Sequence, residues 1–190
     1  MTDEGLKNLI QFLANISLLI LALSSVAALF FMMKFGTGVS KLGGTSTMYD
    51  RPPEPKQVVW YLVGSVLFGG FSYMLGVSYF TVFEESAFIN TPVWAYADTA
   101  PTGSNNADYV ALMVRSTCQV ISMVFLYSSF LSAIDAGASD GRERGALSKG
   151  IMKLIGSVAF WNPDKVLLTF DFVPYFDVIS QVLSGSVTGS

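Results

Sequence analysis

Few side chains in this sequence could do chemistry, and those that stand out lie in apolar surroundings. Arg115 falls near the start of YVALMVRSTCQVISMVFLYSSFLSAI, residues 109–134, and is its one charge. An arginine inside a membrane span is by default a functional residue with an acidic partner. Glu84, Glu85 and Asp108, which precede that stretch, are the candidates. Snorkelling to the outer headgroups fits its depth equally well. Arginine does not release its proton at physiological pH, which makes it a poor relay. The second polar group, Asn162, Asp164 and Lys165, surrounds Pro163 and interrupts KGIMKLIGSVAFWNPDKVLLTFDF, residues 149–172.

No catalytic constellation accompanies them. The chain has no histidine, the commonest general base and metal ligand. There is no nucleophile elbow, phosphate loop or cluster of metal ligands. Cys118 is the sole cysteine, has no intrachain disulfide partner, and reads as a small apolar side chain. The pair Glu84–Glu85 sits at a helix end and reads as solvated. The expectation is a protein that is not an enzyme and takes neither cofactor nor metal.

The elements around these residues are apolar. Of 190 residues, 52% are hydrophobic and 13% charged, about half the charged share of a typical soluble domain, and mean hydropathy is +0.51. The net charge is −3, without the basic patch or module that direct nucleic-acid binding needs. Charged residues avoid long windows, as in membrane spans. The first is 9–33, with no charge in LIQFLANISLLILALSSVAALFFMM. At 1.5 Å per residue it reaches about 37 Å, enough for roughly 30 Å of hydrocarbon. Its length and the acidic residues before it favour a retained span over a signal peptide.

The second window is 58–83, with Trp60 and Tyr61 at one end and Tyr79, Phe80 and Phe83 at the other, like interfacial aromatic belts. Gly64, Ser65, Gly69, Ser72 and Gly76 run through it. Ser65/Gly69 and Ser72/Gly76 have the four-residue spacing of small side chains that lets a second helix approach closely. The third window is 109–134, where Ser128/Ser132 and Ser129/Ala133 repeat that spacing.

The connecting loops set an orientation. Residues 34–57 carry Lys34, Lys41, Arg51 and Lys56, and residues 135–150 carry Arg142, Arg144 and Lys149. Residues 84–108 have four acidic residues and neither Lys nor Arg. By the positive-inside rule the two basic loops are cytoplasmic, the acidic loop is translocated, and the N-terminus is outside.

The fourth apolar segment, 151–180, is broken. Ile151 to Trp161 gives about 16 Å of helix, half the hydrocarbon thickness. Carrying the helix straight on would put Asp164 and Lys165 near the midplane at about 2.5–3.5 kcal/mol each. Pro163 also removes a backbone hydrogen bond. Two arrangements avoid the cost: a re-entrant hairpin turning at Asn162–Pro163, or a short span whose polar turn reaches the far headgroups. Both need covering protein. The sequence thus predicts an all-α membrane protein, a single membrane domain over 1–190 with three transmembrane helices and a short broken fourth.

The layout resembles a known family. Arg115 before a Ser/Thr-rich stretch, Lys149-Gly150, the small pair Gly156-Ser157, and Asn162 twelve residues after Gly150 are similar to the small inner-membrane proteins of type IVB secretion and IncI-type conjugation systems, the IcmC/DotE and TraQ kind. The likeness covers residues 33–162. It departs where the family has Gly-Gly at Gly156-Ser157, and in the Pro163-Asp164-Lys165 after Asn162. The resemblance implies a non-catalytic apparatus subunit, multi-pass in the inner membrane of a Gram-negative bacterium.

From the residues and the resemblance together, the expected function is structural. Small-residue faces pack helices against other subunits of the complex or against further copies in a homo-oligomer, with membrane lipid around them. Two alternatives carry different outcomes. A pilin-like subunit would polymerise into a filament. A small channel or transporter would use Arg115 and the broken segment as a transport site.

Overall fold

The computed structural model describes residues 3–44, 53–74, 106–138 and 145–161, together with Pro163 and Val166. Among them regular structure is helical throughout, with no strand. The elements are α1 (Asp3–Gly43), α2 (Pro55–Gly69), α3 (Asn106–Ala138) and α4 (Ala146–Trp161).

Two of these are long and apolar enough to cross a membrane, over Lys7–Gly43 of α1 and Met113–Ala138 of α3. The expected third, 58–83, is shorter among the described residues. α2 ends at Gly69, and a turn at Gly70 (φ −94°, ψ 18°) precedes helical residues 71–74. The adjacent Gly69 and Gly70 explain the interruption, since glycine favours helix least of the residues other than proline. Residues 75–83 lie outside the described residues.

Helix ends also differ from the sequence expectation. α1 starts six residues before Leu9 and ends ten after Met33. Its chain is free of proline until Pro52, so nothing in the sequence after Met33 forces the helix to stop. α2 begins at Pro55, whose fixed φ suits the first helical position and whose missing N–H costs nothing there. α3 continues four residues past Ile134. α4 begins at Ala146 rather than Ile151, directly after Gly145. Gly145 has φ +112°, a region that L side chains rarely adopt, and its carbonyl accepts the Lys149 N–H at 2.9 Å. Over its described residues the helix therefore has 16, about 24 Å, longer than the eleven residues expected before the break. Pro163 and Val166 are helical; Asn162, Asp164 and Lys165 lie outside the described residues.

Contacts divide the chain into two units. The first comprises residues 1–20, 76–124 and 156–190. In it Leu13 and Ala14 of α1 are buried, and Val120 of α3 packs against them. The second comprises residues 21–75 and 125–155. Its centre is aromatic. Phe31 of α1 stacks on Phe68 of α2 with centroids 5.7 Å apart and planes at 9°. Phe68 meets Tyr127 of α3 at 4.9 Å and the edge of Phe130 at 5.6 Å. Offset and edge-on ring pairs of this kind add about 0.5–1.5 kcal/mol each beyond the area they bury.

Candidate functional site

The second unit holds a charged cluster between α3 and α4. Lys153 Nζ donates to Ser128 Oγ at 2.8 Å and to Ser132 Oγ at 3.0 Å. Ser132 Oγ donates to the Ser128 carbonyl one turn earlier, at 2.9 Å. Ser128 and Ser132 are four residues apart, so they share one face of α3. Beside them, Ser129 Oγ donates to the Gly150 carbonyl at 2.7 Å. The backbones come close at Gly150. A Cβ there would meet the Ser129 carbonyl oxygen and Ser132 Cβ at 3.4 Å each. The small residues of α3 thus do two things: they let α4 in, and they solvate its lysine. Serine hydroxyls replace the water that an ammonium would otherwise hold.

In the first unit a similar contact joins the same two helices. Ser122 Oγ, fully buried, donates to the Ser157 carbonyl at 2.6 Å, with the two hydroxyls 3.3 Å apart. Gln119, one turn earlier on α3, is also fully buried. Neither of its amide heteroatoms has a hydrogen-bond partner among the described residues, and the same holds for Ser116 Oγ and Trp161 Nε1. Buried polar atoms of this sort are uncommon in folded proteins.

The sequence-predicted residues divide by location. Gly64 is buried and close-packed inside the chain: an added Cβ would lie 2.6 Å from Ile134 Cδ1 and 3.2 Å from Phe31 Cγ. Gly69 is exposed, and its nearest neighbour would be Ala28 Cβ at 3.9 Å. Ser65 is half-buried and Ser72 exposed. Gly76 lies outside the described residues. Gly156 is half-buried, and Ser157 is the buried partner of Ser122. Arg115 is half-buried on α3, while Glu84 and Glu85 lie outside the described residues.

The pairing of Lys153 with Ser128 and Ser132 is not evident from the sequence. Its signal is a lysine in an apolar segment facing a helix with serines four apart. Gln119 gives a signal too, as an amide in the middle of the apolar window 109–134.

Comparison with family models, with curated proteins and with solved structures finds no match to this chain. The functional reading therefore rests on the residues and their arrangement.

Proposed function

We propose that the chain is a multi-pass membrane subunit that acts by helix assembly, without catalytic activity, in an inner-membrane type IVB-like secretion or conjugative transfer apparatus. The observation that carries the membrane part is the distribution of side chains. Leu18, Leu19, Leu23, Val26, Leu29 and Met33 of α1 are exposed, while Ser17 and Ser24 on the same helix are buried. Ser17 Oγ and Ser24 Oγ satisfy themselves on carbonyls of α1, at 3.0 and 2.7 Å. Water would favour the reverse arrangement; a hydrocarbon solvent favours this one. In this reading α1 and α3 cross fully, the apolar window 58–83 is a third span, and segment 151–180 is the short fourth. The basic loops face the cytoplasm and the N-terminus the periplasm.

The assembly part is supported by Gly69 and Ser72, small residues on exposed positions of the second apolar window. The link to a secretion or conjugation machine is supported by the resemblance over residues 33–162. Partners are other subunits of that machine or further copies of the chain.

Gly69→Leu tests the assembly surface. The nearest atom inside the chain to a new Cβ is at ordinary contact distance, so the variant is expected to insert and fold. Cross-linking in intact membranes should then show loss of the higher-order species while membrane-fraction yield is unchanged. An unchanged cross-linking pattern would remove Gly69 from the interface.

A further inference from the structure

The second unit contains a cavity of about 440 Å³ that the assembly reading does not use. Its volume lies in the range of small-ligand sites. Phe30 and Lys34 come to it from α1, Gln57 and Tyr61 from α2, and Asp135 from α3. Lys34 Nζ stands 4.6 Å from the Phe30 ring centroid and 5.3 Å from that of Tyr61. Gln57 Nε2 donates to the Tyr61 hydroxyl oxygen at 2.9 Å, which leaves the phenolic hydrogen to donate elsewhere. The cavity thus offers an ammonium and a hydroxyl to an anion, and a carboxylate to a cation.

Its position along the chain narrows the ligand. Lys34 is the first charge after the uncharged run 9–33, and Asp135 the first after Arg115 in the third window. If those windows span, both lie at headgroup level. Phe30, which lines the cavity, also exposes apolar surface against which an acyl chain would lie. Among the described residues the lining carries one charge of each sign, which suits a zwitterion better than a multiply anionic headgroup. The Phe30 and Tyr61 faces are already occupied by Lys34, so the ligand's cation falls to Asp135. A carboxylate rewards an ammonium with N–H donors over a quaternary choline, which has none.

We propose that this cavity is a headgroup site for a phospholipid with a primary ammonium, of the phosphatidylethanolamine class. Lys34 and Tyr61 hold its phosphate and Asp135 its ammonium. The inference rests on the membrane reading above, because depth places the site among headgroups.

The test uses the full chain in micelles doped equally with phosphatidylethanolamine, phosphatidylglycerol and phosphatidylcholine, with retained lipid counted by native mass spectrometry. A charge-assisted hydrogen bond corresponds to a preference of about tenfold. Phosphatidylethanolamine is expected to exceed the other two by that factor. Lys34→Gln should lose phosphatidylethanolamine and phosphatidylglycerol alike, whereas Asp135→Asn should bring phosphatidylethanolamine down to the level of phosphatidylglycerol. Equal retention of the three lipids, or a preference unchanged in Asp135→Asn, would overturn the site. Displacement of the lipid by inorganic phosphate at equal concentration would overturn the lipid in favour of a free anion. Carbonate extraction of membranes is run in parallel. A chain that stays in the pellet yet shows no preference defeats the lipid site alone; a chain released to the supernatant defeats the membrane reading with it.

Discussion

Gly64→Ala is a one-carbon perturbation whose cost can be worked from the packing around it. Gly64 is in the interior of α2, and alanine would gain about 1 kcal/mol of helix propensity there. Against this, the new Cβ would sit 2.6 Å from Ile134 Cδ1 and 3.2 Å from Phe31 Cγ. Ordinary carbon contacts lie at about 3.5–4.0 Å, so the Ile134 methyl must retreat by about 1 Å. Ile134 is 2% exposed and Phe31 8%, leaving little room for that retreat. Overpacking of this kind costs about 1–3 kcal/mol, which set against that gain leaves a net loss of up to about 2 kcal/mol. Ile134→Val removes the clashing methyl and by itself costs about 0.5–1.5 kcal/mol. Together the two changes exchange one methyl for another. The double variant should then lie within about 1 kcal/mol of the parent, with a coupling of about 1–3 kcal/mol, the overpacking relieved. Reversible unfolding of the four proteins in mixed micelles measures it. Additivity within about 0.5 kcal/mol, or a Gly64→Ala variant more stable than the parent, would refute the close packing of α2 on α1 and α3.

Removing both hydroxyls that hold Lys153, in Ser128→Ala with Ser132→Ala, should lower the melting temperature in micelles, by about 1–3 kcal/mol of stability. Lys153→Met in that background should recover most of the loss, because no ammonium is left to satisfy; failure of the first change to destabilise would mean that the lysine finds water instead. Gly137→Ala places a Cβ against the Trp60 indole and should destabilise by about 1–3 kcal/mol, with Trp60→Ala relieving the effect; two effects that simply add would show the indole free to move aside.

The glycines show where the sequence is legible and where it is not. Gly64 is readable as a packing position because it lies within a run of small residues in an apolar window. Gly137 and Gly150 fall by sequence in the third connecting loop, residues 135–150, among its charges and turn formers. Both are instead contact points: Gly137 admits Trp60, and Gly150 admits Ser129 and Ser132. Gly38 is a third case, lying against Val58 although it falls in the first basic loop by sequence. A glycine costs a helix only about 1 kcal/mol, so a close helix contact can outweigh its tendency to end the helix. Local composition carries no information about that contact, because the neighbour comes from another part of the chain. The same reason hides the Lys153 cluster, whose two serines are 25 and 21 residues from the lysine in sequence.

The fourth helix supplies the sharpest test of which solvent the chain is built for. On α4, Ile151, Met152 and Ile155 are exposed, while Gly150, Ser157 and the half-buried Lys153 turn toward α3. In water each of those large side chains, half to two-thirds exposed, would forgo a matching share of the about 1.5–3 kcal/mol that full burial yields, and the lysine would lose hydration by going in. Both terms oppose the arrangement. In hydrocarbon both reverse: the aliphatic side chains match the solvent, and a lysine turned outward would have no acceptor except another protein group. Serines on α3 are then the cheapest acceptors that still allow close backbone approach, which is why small polar residues gather on inward faces of membrane helices. The outward aliphatic face of α4 and its inward lysine are thus the arrangement that hydrocarbon favours and water opposes.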